Sequence, residues 1–318
     1  MARFVLVHGA FGGAWSLEPL REPLEAAGHT VETFDLPGGG SDETPPGDVT
    51  LASCAQRVSE VLASKPEPAI LVGYSMGGAV VTQAASNTPE HLAALVFVTA
   101  FMPSNGQSLL DLTHLPEGAE DMIQANIVIE GEPPVATLPD EAALQAIYNC
   151  CTTENATVCV ARQRPQPVGP FADPASVDDA VLASIPRFYV LTTQDNSIPP
   201  ALQRRMIAEI NTAYSPELIV LDGVQAFSGG GPEAGTLVNT NVILAGTDRI
   251  AIDAVGVAIL RSVGTTPEVS RGPIFQLEQI ARAAELGVGV KSPRQIELVT
   301  ADAASADSAG RIRELLAA

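Results

Sequence analysis

Residues 73–77 read Gly-Tyr-Ser-Met-Gly and directly follow the apolar run Ala69-Ile70-Leu71-Val72. A serine with glycines two positions to either side, between a strand and a helix-forming stretch, marks a sharp turn that holds a hydroxyl clear of a sheet. Ser75 is the candidate nucleophile. Acyl transfer by such a serine also needs a base, a group that orients the base, and two N–H donors for the oxyanion. The loop His8-Gly9-Ala10-Phe11-Gly12-Gly13-Ala14-Trp15 can supply one donor, and the N–H of Met76, next to the serine, the other. Asp195, in Thr192-Thr193-Gln194-Asp195-Asn196, follows an apolar strand and comes after the serine in chain order. The base is harder to find, because no histidine occurs after His114.

These residues need a scaffold, and the first hundred positions describe one. Phe4-Val5-Leu6-Val7, 30–34, 69–73 and 93–99 read as strands, with helices predicted over 16–27, 50–64 and 77–86. Apolar strands alternating with helices imply a mostly parallel, doubly wound α/β sheet covered on both faces. Ligands of such sheets collect at the carboxyl ends of the strands, where Ser75 sits. From about 102 to 186 proline is frequent and short helices are expected near 106–112, 118–125, 140–150 and 153–162. That stretch reads as a helical lid over the pocket. A strand at 187–191, a helix at 200–210 and a strand at 217–221 follow. Beyond Asp222 the texture changes: a glycine-rich turn at 228–235, a strand at 241–245, helices at 248–263 and 273–286, a strand at 295–299 and an Ala-rich terminal helix.

Composition narrows the partners. The 37 acidic against 17 basic residues, a net charge of −20, exclude a nucleic-acid-binding surface. No apolar run approaches the ~20 residues of a membrane span, and the chain enters a strand by Phe4, which predicts no leader and a cytoplasmic protein. Cys54, Cys150, Cys151 and Cys159 lack metal-ligand spacing and read as buried thiols in a reducing compartment. No cofactor and no metal are expected; oligomeric state is not encoded in any motif.

Val7-His8-Gly9-Ala10 through Ala14-Trp15, Asp35-Leu36-Pro37, Gly73-Tyr74-Ser75-Met76-Gly77-Gly78 and Asp195 before Ile198-Pro199 together resemble the methylesterase and hydroxynitrile-lyase branch of the α/β-hydrolases, over about residues 1–212. The resemblance implies an α/β-hydrolase domain at 1–215 acting on a small-molecule ester, with Ser75 as nucleophile, Asp195 as triad acid, and Ala10 and Met76 as oxyanion donors. The lyases of that branch carry threonine where this chain has Gly9, so the resemblance implies an esterase. It also places the catalytic histidine soon after Ile219-Val220-Leu221-Asp222, where Gln225 stands instead. Glutamine cannot take a proton at neutral pH, so the expected enzyme is impaired; the alternative is a non-catalytic protein that binds a small molecule. Residues 210–300 resemble the carboxyl end of an uncharacterised domain family often found beside ferredoxin-type iron–sulfur modules. The expectation is a fusion, with a C-terminal α/β extension of different ancestry at 216–318 joined near position 212.

Other readings are plainer. His8 reads as a structural hydrogen-bonding residue, and His29 and His91 as solvent-facing, while His114 in the lid could approach Ser75. Trp15 reads as packing under its loop, Asp248 as a helix N-cap, and Gly229-Gly230-Gly231 as a flexible turn, since no P-loop Lys-Ser/Thr follows. Asp222, Asp248 and Asp253 could together be offered to a metal.

Overall fold

A computed structural model describes residues 1–210, 218–230, 235–300 and 302–317. The chain divides into two compact units, Met1–Ile207 and Ala208–Ala318. The first is built on a five-stranded sheet of β1 (Arg3–Val7), β2 (Thr30–Thr33), β3 (Ala69–Ser75), β4 (Leu92–Ala100) and, after three short lid strands, β8 (Arg187–Val190). Its order is β2-β1-β3-β4-β8, and every neighbouring pair is parallel. Val5, Leu71 and Leu95 are fully buried on these strands, as a sheet covered on both faces requires.

Helices α1 (Glu18–Ala26), α2 (Leu51–Ala63) and α3 (Gly77–Asn87) connect the strands. Leu51, Cys54, Ala55, Val58 and Leu62 fall at helical spacing and form the buried stripe of α2. Thr50 and Ser53 cap its start reciprocally, each hydroxyl accepting the other's backbone N–H at 2.9 Å. The helix α3 is buried from Gly77 through Ala85 and packs on α2.

Between β4 and β8 lies the lid expected from sequence. It contains α4 (Leu109–Thr113), α5 (Met122–Asn126), α6 (Asp140–Ala146), α7 (Thr153–Val160), α8 (Gly169–Ala172) and α9 (Asp179–Ser184). It also contains a small antiparallel sheet that sequence reading missed: β5 (Val128–Glu130), β6 (Val135–Thr137) and β7 (Gln166–Pro167). Strands of two or three residues carry too little alternation to be read. The helix α10 covers Pro200–Ile210, as expected.

The second unit is a hairpin of β9 (Ile219–Gly230) and β10 (Gly235–Gly246) packed on α11 (Arg249–Val263), with α12 (Pro267–Ser270), α13 (Glu278–Glu285) and α14 (Ala303–Ala317). Its core gathers Ile250, Ala254, Ala258, Ile274, Ile280 and Ile312. Asp248 caps α11 by accepting Ala251 N–H at 2.8 Å, as read from sequence. Two expectations are corrected. Gly229 and Gly230 extend β9 instead of forming a turn, while 231–234 lie outside the described residues. Residues 295–299 form no strand; their apolar alternation ends in packing of Ile296 and Leu298 against the α11 core, without a pairing partner. The proposed join near 212 also lies outside the described residues.

Candidate active site

Ser75 ends β3 with φ at +53°, a left-handed conformation that a non-glycine residue holds only where its surroundings impose it. The surroundings are close backbone. A Cβ on Gly77 would lie 2.6 Å from the Val7 carbonyl oxygen, and one on Gly9 would lie 2.8 Å from Ser75 Cβ. The two segments can touch only because both positions lack side chains. Beside them Thr99 sits at φ +36°, and Ala100 is gripped by Tyr189, whose hydroxyl accepts Ala100 N–H and donates to Ala100 O, each at 3.0 Å.

The Ala10 loop is braced from the loop that follows β2. Asp35 accepts Ala14 N–H at 2.7 Å, Ser41 N–H at 2.9 Å and the Ser41 hydroxyl at 2.7 Å. Burial alone would raise its pKa, but these donors outweigh it and hold Asp35 below the ordinary carboxylate range. Phe11 takes φ +60°, and its carbonyl accepts Arg164 N–H. Among the described residues, neither Ala10 N–H nor Met76 N–H has a hydrogen-bond partner, and both residues wall a chamber with Ser75. Two free N–H groups beside a strained serine can accept developing negative charge.

Asp195 follows β8 and shares a cavity of about 530 Å³ with Ser75. Its carboxylate is already engaged. Oδ1 accepts Ser197 N–H at 2.8 Å and Ile198 N–H at 2.9 Å. Oδ2 accepts the hydroxyls of Thr99 and, at 2.8 Å, Thr192. The amide of Gln203, which is fully buried, reaches the same oxygen at 3.4 Å. Thr99, Thr192, Gln203 and Tyr189 were not singled out from sequence, since no motif marks them.

All four histidines are described, and none hydrogen-bonds Ser75. His8 is 1% exposed; its Nε2 accepts Leu36 N–H at 3.0 Å, which assigns the proton to Nδ1 and a donation to Gly9 O at 2.8 Å. Burial holds His8 below the usual histidine pKa, so the ring is a neutral brace, as expected. His114 is exposed at the end of α4. His29 and His91 are half-buried, not solvent-facing; His29 Nδ1 accepts Ala2 N–H and its ring meets Phe4 edge-on. Gln225, on β9, donates to Asn239 across the hairpin at 3.0 Å. The Arg162 guanidinium lies 4.4 Å from the Trp15 ring centroid.

The thiol expectation holds for Cys54, which burial pushes up to about 12. It fails for Cys150 and Cys151, which are exposed because they lie past the end of α6 at the lid surface. Among the described residues, no three His, Cys, Asp or Glu side chains are grouped to hold a metal. Asp222 accepts Val224 N–H instead, and Asp248 accepts Val290 N–H. Among them also, no helix is long and apolar enough to cross a membrane.

The chain belongs to the α/β hydrolase family, whose profile matches residues 4–227. It is 33% identical over 213 residues to the protein named Putative methylesterase 11, chloroplastic, of Arabidopsis thaliana, covering 64% of this chain and 55% of that one. It is 31% identical to salicylic acid-binding protein 2 of Nicotiana tabacum, covering 68% of this chain and 87% of that one. Among solved structures, a histidine variant of polyneuridine aldehyde esterase superposes with a TM-score of 0.60 at 26% identity, covering 66% of this chain and 87% of that one. The methylesterase type of the family is thus supported. The chain spans about half the length of the chloroplastic methylesterase relatives it matches, 55% and 48% for two of them.

Proposed function

We propose that this chain is a carboxylic-ester hydrolase that has kept its nucleophile and lost its base. Ser75 Oγ attacks the ester carbonyl, and the N–H groups of Ala10 and Met76 take the oxyanion. Asp195, which would orient a histidine, is turned to holding the loop after β8. The observation that carries this reading is the set of partners around Asp195, all backbone N–H, hydroxyl or amide groups, together with the lack of any histidine bonded to Ser75. Loss of the base from a triad costs on the order of 10⁶ in turnover and leaves roughly 10³–10⁴ over water.

The tail is part of the same proposal: beyond about residue 212 a segment of other ancestry, resembling the domain found beside iron–sulfur modules, replaces the histidine-bearing end. The setting proposed is the cytoplasm, where exposed thiols such as Cys150 and Cys151 stay reduced.

Hydrolysis of p-nitrophenyl acetate by the chain and its Ser75→Ala variant tests the reading. Slow turnover that vanishes with Ser75 is expected; fast Ser75-dependent turnover would refute the missing base. A second reading, a protein that retains a small ester or acid, is favoured by the open cavity and by similarity to a relative named for binding salicylic acid. Tight binding that survives Ser75→Ala, with no turnover, would select it.

A further inference from the structure

Ser75 stands between two cavities. The larger lies on the Asp195 side; the smaller, about 30 Å³, lies under the lid and is walled by Ser75, Ala10, Met76 and Asp121. Its volume suits roughly one water-sized group. Most of the remaining wall is apolar, including Phe101, Ile123 and Phe171.

Asp121 is out of place there. It is 4% exposed, and it caps α5 through Oδ1 alone, accepting Ile123 N–H at 2.7 Å and Gln124 N–H at 3.1 Å. Among the described residues its Oδ2 has no partner and is not sealed off, so it meets whatever fills the chamber, and no lysine, arginine or histidine lines either cavity. A carboxylate only accepts hydrogen bonds, and a buried one without a cation is costly. Such an orphan group in a native fold calls for a ligand, ion or water to complete it. Its surroundings supply no cation. Asp195 is the ionisable group whose field reaches it, and that field is repulsive. On the adjoining elements Glu117 is paired with Arg205 at 2.7 Å, while Glu120, Asp111 and His114 are exposed.

We infer that Asp121 is the receptor for a protonated amine on the acyl part of the substrate, so that the ester held at Ser75 is an amino-acyl ester. An ammonium group has about the size the chamber accepts, carries three donors, and sits close to the carbonyl carbon in an α-amino ester. The carbonyl then reaches Ser75 while its oxygen faces Ala10 and Met76 N–H. Burial first, and Asp195 second, raise Asp121 to about 6, so the carboxylate is charged at neutral pH and a bound cation strengthens that charge. Acyl groups ending in a carboxylate are rejected by the same oxygen.

The inference rests on Ser75 being the group that takes the acyl carbon, and the test separates the two. Aminomethylboronic acid and ethylboronic acid differ only in ammonium against methyl. Each boron accepts a lone pair from Ser75 Oγ, an O–B bond forms, the serine proton leaves to solvent, and a tetrahedral boronate anion results. Binding is measured by calorimetry for the full chain, Ser75→Ala and Asp121→Asn. At neutral pH the amino compound is expected to bind about tenfold tighter or better, the worth of one charge-assisted hydrogen bond. The preference should collapse as pH falls below about 6, where Asp121 is protonated. Asp121→Asn should bring the ratio toward unity with a melting temperature equal to or above the parent's, because asparagine caps α5 equally well and removes a costly buried charge. Equal binding of the two boronates, lost in Ser75→Ala, would overturn the inference and leave the serine reading standing. No binding of either, or binding indifferent to Ser75→Ala, would overturn both.

Discussion

The hydroxyl of Thr192 donates to Asp195 Oδ2 at 2.8 Å, on the oxygen that also takes the Thr99 hydroxyl. With two backbone N–H groups on Oδ1 and the Gln203 amide also reaching Oδ2, the carboxylate has five donors for its roughly four lone-pair positions. A triad acid keeps one of those positions for an imidazole. Here the residue works as a knot that ties the end of β4 to the loop after β8.

Asp195→Asn should therefore behave unlike the same change in a complete triad, where it costs about 10⁴ in turnover. We expect less than about tenfold loss of Ser75-dependent ester hydrolysis, because no base is left to misorient. Stability should suffer more: Asp195→Ala leaves buried donors unpaired, at about 1–3 kcal/mol each. Chemical denaturation alongside ester kinetics checks both.

Exogenous imidazole should act where the side chain is missing. The cavity of about 530 Å³ beside Ser75 has room for it. Saturable stimulation of ester turnover by imidazole, absent in Ser75→Ala, is the expected result; stimulation equal in both proteins would mean only solution catalysis.

In this chain a side chain at Gly9 is expected to be costly. A Cβ there meets Ser75 Cβ at 2.8 Å and the Tyr74 ring edge and carbonyl oxygen at 3.2 Å each, so the strained turn itself must shift to admit it. Gly9→Ala should cost about 1–3 kcal/mol in stability, the usual cost of overpacking, and slow phosphonylation of Ser75. Thermal melts and mass spectrometry of the labelled protein would read both effects.

His8 predicts a pH dependence. Its folded pKa is lowered, so the unfolded chain binds the extra proton more readily; the neutral ring's contribution is full above about 6.5 and is lost as pH falls below it. At pH near 7.5, His8→Gln should lose about 1–3 kcal/mol through unmet buried hydrogen bonds. The gap between the two proteins should narrow toward pH 5.5. A gap that widens instead would mean that His8 is charged in the fold.

Legibility in the sequence follows how local each cause is. The Gly-Tyr-Ser-Met-Gly turn is written in residues whose missing side chains are needed at that very turn, and the α11 cap needs only Asp248 and the helix it starts. The Asp195 knot is different: Thr99 and Gln203 come from separate elements, 96 and 8 positions away, and only the folded sheet edge brings them together. Asp121 falls inside the helix expected over 118–125, whereas it caps a shorter helix that starts at Met122, and its place beside Ser75 depends on how the lid packs. Residues 295–299 alternate like a strand, yet alternation does not specify a pairing partner.

Ser75 is strained, half-buried and open to the cavity, while none of the four histidines serves it. The most direct measurement is the rate at which a small fluorophosphonate labels Ser75, followed by intact mass and peptide mapping, beside a serine hydrolase with a complete triad. Base assistance contributes about 10²–10⁴-fold, so labelling confined to Ser75 and slower by that order is the predicted result. Labelling within about tenfold of the complete enzyme, or at a residue other than Ser75, would contradict it.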